Sequence, residues 1–136
     1  MKRIIATHSL ATGLAPLLGV ACLAWLALCA PPAFSHGSAT ARHGGVAQMA
    51  NDLGFELVAT PTGATIYIED HGKPLPATGM SGKLTVLDGA NKSEAPLSPA
   101  GNTLVAPGIK LPKGAKAVAA ITTANQKVIT VRFTVR

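Results

Sequence analysis

Short runs rich in valine, isoleucine and threonine fill the chain from residue 51 onward, and glycine, proline or small polar residues separate them. Several runs alternate apolar and polar positions, which is typical of β-strands with one buried face. No stretch after residue 45 keeps apolar residues at helical spacing. Seven strands are therefore predicted, at 53–59, 64–69, 83–87, 92–97, 102–106, 115–123 and 127–135.

The connections between these runs carry turn signals. Asp88-Gly89 predicts a tight hairpin between the third and fourth strands. The residues at 124–126 are predicted to close the last hairpin, and a further turn is predicted at 70–74, which contains glycine and proline. The chain therefore has the short connections that are typical of antiparallel sheets.

The position of some strands within the sheet can also be predicted. The run 102–106 lies between Pro99 and Pro107, so we expect it at a sheet edge. Alternation in the last strand predicts four core-facing residues: Ile129, Val131, Phe133 and Val135. We expect an otherwise aliphatic core to be seeded by three aromatic residues: Phe55, Tyr67 and Phe133.

Seven strands at roughly ten-residue spacing within about 100 residues predict an all-β, immunoglobulin-like β-sandwich. The cysteine pair and tryptophan of antibody domains are absent from it, because both cysteines and Trp25 lie in the first 35 residues. We assign the sandwich to 51–136.

Residues 1–35 have the pattern of a signal peptide. Lys2-Arg3 gives a positive start, an apolar run ends at Pro31-Pro32, and small residues at Ala33 and Ser35 occupy the positions that a signal peptidase reads. Cleavage after Ser35 would place the protein in the periplasm with no membrane span. A retained membrane anchor and a lipidated cysteine are the alternatives, but glycine and proline dilute the run that would have to span the bilayer.

Residues 36–50 are mainly small and polar, so a flexible arm is predicted there.

Cleavage removes two of the twelve basic residues and leaves ten basic against six acidic ones. The basic residues are scattered, and no aromatic residue lies between Lys110, Lys113 and Lys116, so no nucleic-acid partner is predicted. Loss of both cysteines excludes disulfide and thiol chemistry from the mature protein.

Six segments, taken in order, carry a family resemblance. They are His43-Gly44-Gly45, Glu56-Leu57-Val58, 66–74 with its Asp-His-Gly-Lys-Pro ending, 82–87, 99–104 and 131–133. Together they resemble a small periplasmic immunoglobulin-like domain associated with heavy-metal efflux systems, which occurs as a free protein or as part of membrane-fusion adaptors. The resemblance covers nearly all of 43–136. It implies a secreted sandwich associated with copper, silver, zinc or cobalt export, and no catalytic activity.

The few nitrogen and sulfur donors of the predicted mature chain suggest a copper site, although the fold requires no metal. The terminal amine and Nδ1 of His36 can chelate one ion, and a second imidazole from His43 or His71 would complete a nitrogen-rich set that suits Cu(II). Asp70 can add a carboxylate or orient a ring, and thioethers suit Cu(I). The candidate metal-site residues are His36, His43, His71, Asp70, Met80 and Met49. The alternative is that none of these histidines binds metal. His36 would then begin a disordered tail, His43 would lie at the entry to the first strand, and His71 would be an exposed turn residue.

Motifs for catalysis are missing. The sequence has no Gly-x-Ser-x-Gly elbow, phosphate loop or dinucleotide fingerprint. Asp70 and His71 are adjacent, so only a turn can pair their side chains. Two functions remain. The first is a periplasmic accessory protein of heavy-metal handling or efflux that binds metal, with copper as the expected ion, through its N-terminal histidine arm. The alternative is a non-metal interaction module that docks on an efflux adaptor or another envelope protein.

Overall fold

The computed structural model describes residues 39–136, which form strands and turns and no helix, and hence no helix able to cross a membrane. The nine strands are β1 (Val46–Ala50), β2 (Leu53–Thr60), β3 (Gly63–Asp70), β4 (Lys73–Pro74), β5 (Ser81–Asp88), β6 (Asn91–Ala100), β7 (Thr103–Pro107), β8 (Lys116–Thr122) and β9 (Val128–Thr134).

All strand pairs are antiparallel and belong to one sheet in the order β1-β2-β3-β7-β6-β5-β8-β9, with the short β4 paired to the end of β3. Strand β6 joins the two halves of the sheet, because its first part pairs with β5 and its last three residues pair with β7. The end strands β1 and β9 approach each other. The sheet therefore curls into a nearly closed, barrel-like shape.

The core lies inside the curled sheet and is built from alternate residues of its strands. Its largest fully buried side chains are Phe55, Ile66, Ile68, Leu84, Val86, Leu104, Ile121 and Val131. The predicted orientation of β9 is confirmed, since Ile129, Val131 and Phe133 are buried and Arg132 is exposed. Every buried core residue of the described chain lies from Phe55 to Phe133, and the partly buried Val46, Ala50, Leu53 and Val135 pack against this core from outside that range.

The seven predicted strands are present, with boundaries that differ by at most three residues. The hairpins at Asp88-Gly89 and 124–126 also form as predicted. Strands β1 and β4 were not predicted. The prediction of a flexible arm at 36–50 is therefore wrong for residues 46–50, because Val46–Ala50 pairs along its whole length with β2. Backbone hydrogen bonds rather than deep side-chain burial hold this strand. Its residues therefore show no clear alternation of apolar and polar positions from which a strand could be predicted.

Two predicted placements are wrong. Strand β7 is not an edge strand, because it pairs with β3 on one side and β6 on the other. Pro107 ends β7 and therefore interrupts no interior ladder position. Tyr67 is not a core residue, because it lies on the outer face of β3, between the inward-facing Ile66 and Ile68.

Candidate functional site

The segment 39–45 is anchored to the outer face of the sheet by Glu56 of β2. Glu56 is only 5 % exposed, and it is the one charged residue buried among residues 39–136. Its carboxylate accepts hydrogen bonds from the backbone N–H groups of Arg42, His43 and Gly45, each at 2.8 Å. The Nδ1 atom of His43 lies 2.8 Å from the same carboxylate. Since a carboxylate only accepts, this contact assigns the ring proton of His43 to Nδ1.

These contacts determine the charge state of Glu56. Burial alone would raise its pKa, but the backbone N–H groups of Arg42, Gly45 and His43, together with the His43 ring, outweigh burial. They lower the pKa of Glu56 from 4.5 to about 2. Glu56 is therefore a permanent anion at neutral pH, and its charge is compensated by the segment that it holds.

The His-Gly-Gly sequence explains how the segment reaches Glu56. Gly44 has a φ of 80°, which glycine adopts without strain, and this turns the chain toward β1. Gly45 lies so close to β2 that a Cβ atom there would overlap the carbonyl oxygen of Leu57. Both glycines are thus needed for the three N–H groups to converge on one carboxylate.

His43 has a second contact that orders its ring. The imidazole stacks on Tyr67, with ring centroids 3.6 Å apart and planes within 4°. Glu56 and Tyr67 are directly opposite each other in the β2–β3 ladder, so their side chains leave the sheet on the same face. Both groups hold His43 in one orientation and leave its Nε2 atom without a role in anchoring the segment.

Arg42 connects the same segment to the β3–β4 turn. Its Nη1 atom lies 3.5 Å from the carboxylate of Glu69 and donates a 3.1 Å hydrogen bond to the carbonyl oxygen of Gly72. The turn itself is tight, because Asp70 pairs with Lys73 across it. Residues 39–45 are therefore tied to β2 through Glu56 and to the end of β3 through Arg42.

A cavity of about 320 Å³ lies beside this turn. Met49, Glu69 and His71 contribute to its wall, and Ala39 lines it from the anchored segment. The side chain of His71 is largely exposed, and its Nδ1 atom lies 2.5 Å from Oδ1 of Asp70. The turn makes this pairing possible, because His71 adopts a φ of 49°. Two of the predicted metal ligands, Met49 and His71, thus share one cavity.

Two of the remaining predicted ligands, Met80 and His43, do not line this cavity. His36 lies outside the described residues. Met80 is 8 % exposed and packs in the core. The rings of His43 and His71 are each paired with a different carboxylate, Glu56 and Asp70. Within residues 39–136, no group of three or more His, Cys, Asp or Glu side chains is arranged to hold a metal ion.

Three residues that organise this site, Glu56, Arg42 and Tyr67, were not among the predicted site residues. The sequence does contain one indication that Glu56 is unusual. It is the only charged residue in the apolar run Leu53–Thr60, which follows the β1–β2 turn. Its alternation with Phe55 and Leu57 places it on the outer face of the sheet. If another segment covers such an acid, burial of its charge is costly unless hydrogen-bond partners are provided. The partner comes from backbone N–H groups upstream, which side-chain patterns do not reveal.

No protein-family model matches this chain, and no curated protein or solved structure matches it.

Proposed function

We propose that the protein is a periplasmic accessory protein of heavy-metal handling that binds copper in the cavity beside the β3–β4 turn. His71 and Met49 are its ligands in the described chain, and His36 supplies the terminal amine and imidazole. The observation that carries the proposal is that Met49 and His71 line one cavity while Asp70 engages Nδ1 of His71. A carboxylate on one ring nitrogen is the usual way of presenting the other nitrogen to a metal.

The reach of the chain supports the part assigned to His36. Ala39 lines the cavity, and His36 is three residues upstream. Three extended residues span at most about 10 Å. Because Ala39 is the first described residue and lines the cavity, a ligand three residues upstream is within reach of the cavity wall. An imidazole, an amine and a thioether would offer copper both the nitrogen donors that suit Cu(II) and the sulfur donor that suits Cu(I).

The proposal includes export and an immunoglobulin-like sandwich. Cleavage after Ser35 would create the terminal histidine, and the intact mass of the secreted protein tests this step. The curled antiparallel sheet, with β6 shared between its halves, is compatible with the two layers of a sandwich. The partner is an efflux membrane-fusion adaptor or another envelope protein, to which the protein would pass its metal.

The experiment is a titration of the processed protein with Cu(II) and, under reducing conditions, with Cu(I). Asp70→Asn is expected to weaken Cu(II) binding roughly 10- to 100-fold by releasing the His71 ring. Met49→Leu is expected to weaken Cu(I) binding. Met80→Leu is the matched control, because Met80 is buried in the core and should leave both affinities unchanged. Equal and micromolar or weaker uptake by all of these proteins would refute the copper site.

One observation favours the alternative, a protein-interaction module that needs no metal. Strand β1 forms ladder hydrogen bonds with β2 alone, and no ladder joins it to the neighbouring β9, so the seam between these two end strands is where an added strand could pair. This reading predicts that an affinity pull-down from membranes recovers an efflux adaptor or other envelope protein after chelation, and equally well with Asp70→Asn.

A further inference from the structure

A cationic face covers the outside of the β6-β5-β8-β9 half of the sheet. It is defined by the charged residues that alternate outward there: Lys83, Lys92, Glu94, Lys116 and Arg132. The ladder registers place these residues in three successive rows across this face of the sheet, and Lys83 lies in the third row. Lys92, Leu87 and Lys116 are successive partners in the first row. Glu94, Thr85, Val118 and Arg132 are successive partners in the second.

The charges on this face do not balance. Glu94 is its single acid, and its carboxylate lies 2.9 Å from the ammonium of Lys92 and 3.2 Å from that of Lys83. These two lysines lower the pKa of Glu94 to about 2, so it stays ionised. Four cations and one anion leave a net charge of +3. Four of the six acids of the chain, by contrast, lie around the Glu56 side of the molecule: Asp52, Glu56, Glu69 and Asp70.

The shape of the face is as informative as its charge. Its central residues are short, Thr85, Val118 and Ala120, and they are adjacent in the β5–β8 ladder. Leu87 and Val128, at its margins, are 41 % and 61 % exposed. No aromatic residue of the described part of the chain lies on it, since Phe55 and Phe133 are in the core and Tyr67 is on β3.

We propose that the cationic face docks on a membrane surface rich in anionic lipid. Cations that project from one sheet face can approach a planar array of headgroups together, which is the geometry that juxtamembrane basic clusters use. A protein partner is less well matched, because protein interfaces are centred on aromatic or arginine anchors in deep pockets, and the centre of this face carries only short side chains. Without an aromatic side chain to insert, the contact is electrostatic and remains at headgroup level.

The test is flotation of the chain beginning at His36 with lipid vesicles. This chain is expected to fold, because it contains every buried core residue of the described structure and the partly buried residues that pack against them. Vesicles of phosphatidylcholine with about one third phosphatidylglycerol are compared with pure phosphatidylcholine. Each surface cation contributes about a fivefold gain in partitioning onto an anionic membrane, so a net charge of +3 predicts roughly a hundredfold preference for the anionic vesicles. About 1 M salt, which shortens the screening length to about 3 Å, should abolish it.

Two double variants locate the contact. Lys116→Gln with Arg132→Gln removes two charges from the cationic face and should weaken binding about 25-fold. Lys110→Gln with Lys113→Gln removes the same net charge from the exposed β7–β8 connection and should weaken it by much less. Equal losses in both variants would show attraction by total charge alone and overturn the assignment. Absence of binding to the anionic vesicles, or equal binding to neutral ones, would overturn it too, and salt-sensitive capture of an acidic protein without vesicle binding would assign the face to that partner instead.

Discussion

Replacement of Glu56 by glutamine should release the anchored segment from the sheet. The substitution keeps the size of the side chain but removes the charge and replaces one oxygen with an NH2 group. That NH2 group would point at backbone N–H donors that now converge on the carboxylate. Donors facing donors leave buried groups without partners, which is costly in itself. We therefore expect the contacts of residues 42–45 to be lost while the strands remain.

The magnitude follows from the pKa of Glu56. A decrease from 4.5 to about 2 means that the folded state favours the ionised form. At about 1.4 kcal/mol for each pKa unit, ionisation contributes about 3 kcal/mol at neutral pH. The folded pKa is depressed, so this stability is fully present above pH 4.5 and is lost as the pH falls toward 2. A loss of this size would raise the population with a detached segment by roughly a hundredfold.

The chain provides its own probe for this detachment. Tyr67 is the only tyrosine, and its ring stacks on His43. The single tryptophan lies in the first 35 residues, so the proposed cleavage after Ser35 would remove it. In Glu56→Gln, tyrosine fluorescence should change at a lower denaturant concentration than the far-ultraviolet circular dichroism of the sheet. In the unsubstituted protein, the two signals should change together, as two-state unfolding requires.

The matched control is Glu69→Gln. Glu69 lies on the same outer face but makes a partly exposed ion pair with Arg42 at 3.5 Å, for which less than about 1 kcal/mol is expected. Coincident transitions in Glu56→Gln at pH 7 would show that the carboxylate does not hold the segment. At pH 2, the separation between the fluorescence and circular dichroism transitions of Glu56→Gln should be largely lost. A separation that persists unchanged at pH 2 would refute the electrostatic explanation.

Two further substitutions test the packing of the sheet. Phe133→Ala should lower the free energy of unfolding by about 3 to 5 kcal/mol, because Phe133 is 2 % exposed; an unchanged melting temperature would contradict its burial. Gly82→Ala should cost about 1 to 3 kcal/mol, because its Cβ would overlap the carbonyl oxygen of Ala120 on the neighbouring strand. Gly54→Ala is the control, since its Cβ would find ordinary contacts at 3.7 Å, and denaturant unfolding that gives equal losses at both glycines would refute the close approach of β5 to β8.

Seven of the nine strands were predictable because each of these seven leaves a signal in its own residues. Alternation in β9 indicated its buried and exposed sides, and Asp88-Gly89 indicated the β5–β6 hairpin. Placement in the sheet was less predictable, as β7 demonstrates. Its flanking Pro99 and Pro107 suggested an edge, yet a proline only forbids the one ladder bond that its own nitrogen would donate. Three of the four residues of β7 before Pro107, Thr103, Leu104 and Val105, pair on both sides.

The anchored segment shows what local patterns leave out. Arg42 and His43 are followed by two glycines, and such a composition predicts flexibility when each residue is considered by its own side chain. The order arises instead from backbone N–H groups, which every non-proline residue carries and which no composition distinguishes. They become decisive only because Glu56, eleven residues beyond Gly45, presents a buried carboxylate to them. In this chain, the lone acid on the outer face of β2, preceded by a His-Gly-Gly sequence, is thus an anchor for the preceding segment and not a solvated surface residue.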